Sequence, residues 1–241
     1  MSGEGPRQLS FDLPLDPRYG REDFLVGPAN EAAYERVEAW PDWPHPVLVL
    51  AGPAGSGKSH LAAIWAERAH AWTVTAAAVS LADVPHLTSN GALVIEGVDR
   101  PEGRDEAALF HLLNGLAERS APVVLTARRP IEAWGLSTPD LLSRLRLAPS
   151  VAIEPPDEAL LTAVLVKLFV DRQLVVDLAV VQALAPRIGR SIARARAVVT
   201  DLDREALSRG RRITRPMALA VLERHASVIS AAEDEADEPG A

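Results

Sequence analysis

Gly52-Pro53-Ala54-Gly55-Ser56-Gly57-Lys58-Ser59 sets glycines, one lysine and a hydroxyl at the spacing that grips polyphosphate. The apolar run Val47–Ala51 precedes it, and a helix-like stretch opening His60-Leu61-Ala62 follows. Strand, glycine-rich turn and helix in that order form a P-loop, because glycines let successive backbone N–H groups curl into one anion nest at a helix N-terminus. Lys58 supplies a point charge for the β- and γ-phosphates, and Ser59 offers a hydroxyl to Mg²⁺. Lys58 and Lys167 are the only two lysines in the chain, so arginine fills nearly every other cation position and Lys58 is not surface filler. The expected ligand is a nucleoside di- or triphosphate with Mg²⁺.

A second carboxylate strand has to hold that metal. Ala92-Leu93-Val94-Ile95-Glu96-Gly97-Val98-Asp99 provides an apolar run ending in an acid, the Walker B pattern, with two departures. The acid is Glu96, one methylene longer than aspartate. The next position, where hydrolysing enzymes carry the acid that polarises water, is Gly97. Asp99 is expected on the other side of the extended chain. This combination predicts binding without fast intrinsic hydrolysis. Leu125-Thr126-Ala127 ends another apolar run, where Thr126 is either a γ-phosphate sensor or a strand-end threonine paired to backbone. Asp140-Leu141-Leu142-Ser143-Arg144 reads as a short helix before the last strand. Spacing alone leaves Arg144 as a surface arginine or as a guanidinium reaching a neighbouring subunit's nucleotide.

The elements that position these groups alternate. Apolar runs at Val47–Ala51, Trp72–Thr75, 92–96, 122–127 and 151–154 read as short strands of a parallel sheet covered on both faces. Helical patterns fill 30–40, 59–69, 105–119 and 140–145, which makes a doubly wound α/β domain with ligand at the carboxyl ends of the strands. After Pro155-Pro156, residues 157–171, 177–186, 190–208 and 214–225 read as helices with no strand between them. The expected organisation is a mobile tail over 1–17, an α/β base over 18–155, a small helical lid over 156–226 and an acidic disordered tail over 227–241. The chain of 241 residues, 48% hydrophobic, can bury a sizeable core. A formal charge of −8 argues against a protein that coats nucleic acid, and the absence of cysteine excludes disulfides and thiolate chemistry. No apolar run reaches the ~18 residues that span a bilayer, and no signal pattern opens the chain, so a soluble cytoplasmic protein is expected.

These motifs together resemble the Hda family, short regulators built on the AAA+ module of the bacterial replication initiator DnaA. Asp23-Phe24-Leu25-Val26-Gly27-Pro28-Ala29-Asn30 is similar to the segment lining the adenine pocket there. Gly52 to Leu61, including Ser59-His60-Leu61, matches the P-loop of that group. Leu142-Ser143-Arg144 falls on its arginine-finger box, and Val151-Ala152-Ile153-Glu154-Pro155-Pro156 on the strand entering its lid. The resemblance spans about Tyr19 to His225. It implies an AAA+ P-loop NTPase with a five-stranded parallel sheet, binding ADP or ATP with Mg²⁺ through Gly52 to His60, Leu25, Val26 and a sensor 2 arginine of the lid. Ser59 and Glu96 would hold the metal, and Thr126 would sense phosphate. Arg194 fits sensor 2 best among nine arginines in 187–215, with Arg190 and Arg196 as rivals.

Function follows from the same resemblance. Hda-like proteins dock on the DNA polymerase sliding clamp and stimulate hydrolysis of DnaA-bound ATP, which prevents over-initiation of replication. Arg144 would be the finger acting in trans. Gln8-Leu9-Ser10-Phe11-Asp12-Leu13 is similar to their clamp-docking peptide, whose glutamine and spaced apolar side chains fill a preformed pocket. Packing of Leu9, Phe11 and Leu13 on the protein's own body is the alternative. No counterpart of DnaA's DNA-reading helix-turn-helix is seen, so sequence-specific DNA binding is not expected. AAA+ sites are completed between subunits, which points to a homo-oligomer. The competing reading is a self-contained AAA+ ATPase, such as a helicase-loader-like remodelling protein.

Overall fold

The structure, a computed structural model, describes residues 20–236. Within them the chain divides into two compact units between Leu160 and Leu161. The first unit is an α/β layer structure around a five-stranded sheet. In chain order it holds α1 (Glu31–Glu38), β1 (Val47–Ala51), α2 (Lys58–Ala69), β2 (Trp72–Thr75), α3 (Val84–Ser89), β3 (Leu93–Glu96), α4 (Glu106–Glu118), β4 (Val123–Ala127), α5 (Pro139–Arg146) and β5 (Ser150–Ala152). All pairings are parallel and the order is β2-β3-β4-β1-β5.

Central β1 and β4 are buried along their whole length, as their continuous apolar sequences require. Side-chain alternation divides the core. Val47, Val49, Leu93, Ile95, Val123 and Leu125 pack towards α4 and α5 on one face. Leu48, Leu50, Val94 and Val124 pack against Leu61, Ile64 and Trp65 of α2 and Ala33 and Val37 of α1 on the other. Each of these large side chains contributes about 1.5–3 kcal/mol by leaving water.

One expectation is corrected here. Strand β2 is not covered on both faces: it is an edge strand, and Trp72, 40% exposed, rests on the His86 ring at 4.7 Å. Residues 81–91 hold a short helix, α3. It lies so close to α4 that a Cβ at Gly115 would come within 2.7 Å of Thr88 Cγ2. The absence of a side chain at Gly115 makes that approach possible.

The second unit carries α6 (Glu158–Asp171, which begins just before the division), α7 (Leu178–Leu184), α8 (Ile192–Arg209) and α9 (Arg215–Ala236). Leu161, Leu165 and Phe169 recur at one helical face of α6 and are buried, as are Val181 and Leu184 of α7, Val198 and Leu202 of α8 and Val221 of α9. The helix starts are chemical. Asp157 accepts the Leu160 N–H at 2.7 Å, Asp177 the Ala179 N–H at 2.8 Å and Ser191 the Arg194 N–H at 3.3 Å. Gly210, at φ 58°, ends α8. Helix α9 runs past the expected end at 225, because glycine and proline are absent until Pro239.

Candidate nucleotide site

Register brings the chemistry to one edge of the sheet. Ala51 pairs with both Ala127 and Ala152, and Glu96 with both Thr126 and Thr75, so β1, β3 and β4 release their chains at a common level. The P-loop leaves β1 there, with the Gly52 N–H donating to Ala127 O at 3.1 Å. Only glycine fits position 52, because a Cβ would sit 2.3 Å from the carbonyl oxygen of Ile153. Gly57, at φ 104°, turns the chain into α2.

Lys58 is 9% exposed and its Nζ donates to Gly52 O and Pro53 O, both at 2.7 Å. Burial pushes its pKa down from 10.5 to about 8, the nearby Arg128 charge adding to the fall, with Arg100 a smaller contributor, while Asp99 and Glu96 oppose it. The lysine is therefore a desolvated cation among charges that nearly balance, and a polyphosphate would complete its environment.

At the end of β3, Gly97 adopts φ 67° and turns the chain. The Gly97 N–H donates to Thr126 Oγ1 at 3.2 Å, and Val98 N–H to Thr126 O at 3.1 Å. Thr126 thus staples the tips of β3 and β4 together as an acceptor, which leaves its own hydroxyl proton free to donate. The turn also corrects the reading of Asp99. The chain is not extended beyond Glu96, and Asp99 is folded inward, 2% exposed, with Oδ1 lacking a hydrogen-bond partner. Its Oδ2 lies 3.6 Å from Arg129 Nε, and its carbonyl accepts from Arg129 Nη2 at 2.9 Å. The left-handed Gly97 was the available signal. Ser59, Glu96 and Asp99 carry oxygen donors of the kind Mg²⁺ takes. Among the described residues no group of three or more histidines and acids could hold a metal unaided.

Beside the P-loop lies the segment carrying Leu25 and Val26. The Phe24 ring would meet a Cβ on Gly57 at 3.4 Å, stacks on Tyr34 at 5.8 Å and takes His60 edge-on at 5.2 Å. His60 Nε2 also lies 3.0 Å from Gly20 O, which ties this segment to the first turn of α2. Asn30 is the residue that sequence reading passed over as a helix start. It is 2% exposed, accepts from Gly27 N–H at 2.8 Å and donates to Leu25 O at 3.0 Å. Its side chain shapes the 25–27 backbone instead of capping α1.

Arg144 lies on α5 as a half-buried guanidinium with no hydrogen bond or ion pair among the described residues. Leu147, 72% exposed, follows one turn later. The start of α5 is held by Glu106, whose carboxylate accepts from Ser137 N–H at 3.0 Å, Ser137 Oγ at 3.0 Å and Thr138 N–H at 2.8 Å. Arg104 bonds Glu106 at 3.0 Å and reaches Val98 O at 3.2 Å and Trp134 O at 3.1 Å. Burial pushes the Glu106 pKa up, but the hydrogen bonds from Thr138 and Ser137 outweigh it and bring it from 4.5 down to about 2. A depressed carboxylate stabilises the fold above its unfolded pKa, and that stability is lost as pH falls from about 4.5 towards about 2. Glu106→Gln is expected to cost about 2–3 kcal/mol at pH 7 and less at pH 3, as denaturant titration at the two values would show. An equal cost at both would assign the loss to packing.

In the second unit, Arg194 sits in the first turn of α8 with its Nε buried and unpartnered, whereas Arg190 and Arg196 have partners. Gln8, Leu9, Phe11 and Leu13 lie outside the described residues.

The comparisons with known proteins agree with this geometry. Over 194 residues the chain is 28% identical to the chromosomal replication initiator DnaA of Francisella philomiragia, covering 69% of this chain and 39% of that protein. Its fold matches domain III of Thermotoga maritima DnaA at a TM-score of 0.77, with 22% identity, over 88% of this chain and 98% of the other. The chain has DnaA's AAA+ fold. AMPPCP-bound DnaA from Aquifex aeolicus matches at a TM-score of 0.65 and 22% identity, covering 78% of this chain and 66% of that one. No family model matches the chain. The homology is thus to the AAA+ module of DnaA, and the chain spans about two fifths of the length of the curated DnaA proteins it matches. No helix among the described residues is long and apolar enough to cross a membrane.

Proposed function

We propose that this protein is a regulatory AAA+ module that binds ADP or ATP with Mg²⁺, docks on the DNA polymerase sliding clamp and stimulates hydrolysis of DnaA-bound ATP. Gly52 to His60 cradle the phosphates, Leu25 and Val26 line the adenine side, Ser59 and Glu96 hold Mg²⁺, and Thr126 and Arg194 sense phosphate. Arg144 acts on the partner's nucleotide. The observation that carries this reading is the pairing of a complete phosphate cradle with Gly97 at the place of the water-polarising acid, while the Arg144 guanidinium lies unpaired beside exposed Leu147. Such a site retains nucleotide, and such an arginine needs a partner. Contacts are made through protein, with no membrane and no sequence-specific DNA reading, and self-association completes the site between copies.

The test is a hydrolysis assay on radiolabelled ATP–DnaA, with and without clamp loaded on DNA. Stimulation that requires loaded clamp supports the proposal; no stimulation overturns it. A second reading, a self-contained ATPase, draws on the buried acid Asp99 within the same site. Turnover of tens per second by this protein alone would favour it. Docking has its own measurement. Changing Gln8 and Leu9 to alanine is expected to abolish capture on immobilised clamp, and undiminished capture would remove the docking role of 8–13.

A further inference from the structure

The space over Gly97 is occupied. A Cβ at that position would meet Cδ and Nε of Arg100, each at 3.5 Å, so a guanidinium stem covers the position where an acid would reach for water. Arg100 is exposed at its head and has no hydrogen bond or ion pair from its side chain among the described residues. Arg128 is the second such group. It leaves β4 directly after Ala127, whose carbonyl accepts the first P-loop N–H, so it stands where β1 opens into the loop. It too is exposed and without an ion pair among the described residues, whereas Arg129 next to it is engaged with Asp99. Some exposed arginines pair with acids, as Arg21 does with Glu38 and Arg209 with Glu205, and others such as Arg36 and Arg119 do not among the described residues. What sets Arg100 and Arg128 apart is that both act electrostatically on Lys58.

We propose that Arg100 and Arg128 form a cationic cup for the terminal phosphate of a bound triphosphate, so that the site selects ATP over ADP and retains it unhydrolysed. This rests on the P-loop reading above and extends it by naming which nucleotide the site is built to hold. The charge balance supports it. Lys58, Arg100, Arg128 and Arg129 stand against the two acids Glu96 and Asp99, which leaves two positive charges in excess. The site is thus cationic by more than a diphosphate with Mg²⁺ neutralises, and the additional charge of a triphosphate meets it. A guanidinium bonds two phosphate oxygens with its planar fork and keeps its charge at every working pH. With cations where a general base would stand, the attacking water is not activated, and the phosphate is held in its ground state.

Calorimetry with ADP–Mg²⁺ and AMPPCP–Mg²⁺ decides this. Wild-type protein is expected to prefer AMPPCP by tenfold or more, taking about tenfold per charged hydrogen-bonding group. Arg100→Ala with Arg128→Ala is expected to remove that preference and leave ADP affinity within about twofold. Single lysine replacements should retain part of it, because a point charge lacks the fork. Equal affinity of wild type for both nucleotides overturns the cup, as does a double variant that weakens both equally or neither. In those cases ADP binding that disappears in Lys58→Ala leaves the P-loop reading standing. A wild type that binds neither nucleotide removes both.

Discussion

Lys58→Ala is expected to lower affinity for ADP and ATP by about a hundredfold or more, since it removes a charged donor from two phosphates in a desolvated setting. The folded state should not suffer. Its pKa of about 8 lies below the ordinary 10.5, so the protonated form is penalised in the folded protein. That penalty is fully present below pH 8 and is relieved as pH rises from about 8 towards 10.5. Lys58→Met, which keeps the volume, is therefore expected to melt no lower than wild type at pH 7 while binding no nucleotide. A melting temperature several degrees lower would show that the lysine serves the fold. Phosphate should also restore the proton to the ammonium, so binding at pH 8 takes up part of a proton. Calorimetry in two buffers of different ionisation enthalpy would detect that uptake in wild type and lose it in the variant.

Arg144→Ala carries the other large effect. An arginine supplied in trans accounts for roughly 10³–10⁵ in phosphoryl-transfer rate, so stimulation of DnaA-bound ATP hydrolysis is expected to vanish. The protein's own nucleotide affinity should stay within about twofold, because Arg144 lies on α5 and has no hydrogen bond or ion pair to the P-loop among the described residues. Arg144→Lys is expected to recover little, since an ammonium cannot bond two phosphate oxygens in one plane. Undiminished stimulation by Arg144→Ala would rule out the finger. Loss of both stimulation and the protein's own nucleotide binding would instead place Arg144 in the fold of α5.

Local chemistry was readable without coordinates wherever one segment carries the whole message. The P-loop is a run of eight residues whose glycines have a single physical reason to be there, and the structure shows Gly52 against the Ile153 carbonyl and Gly57 at positive φ. Strands Val47–Ala51 and Trp72–Thr75 were bounded correctly, because short runs of β-forming residues between turn residues mark strands, buried for β1 and at the exposed edge for β2. Helix starts at Asp157 and Thr214 followed from side-chain oxygens that satisfy free N–H groups. Strand order, by contrast, depends on crossovers, and only the fold put β4 beside β1 and left β2 at the edge. Asp99 was misjudged because it was read from the local run of its chain as extended strand, while a turn at Gly97 decided its direction. The sequence assigned Asn30 no bond of its own, and only the fold brought its side chain to Leu25 O. Arg100 and Arg128 passed unnoticed among 25 basic residues, since arginine is ordinary in sequence. Charge acquires meaning only when a sheet edge gathers it around one lysine, and that convergence is a property of tertiary structure.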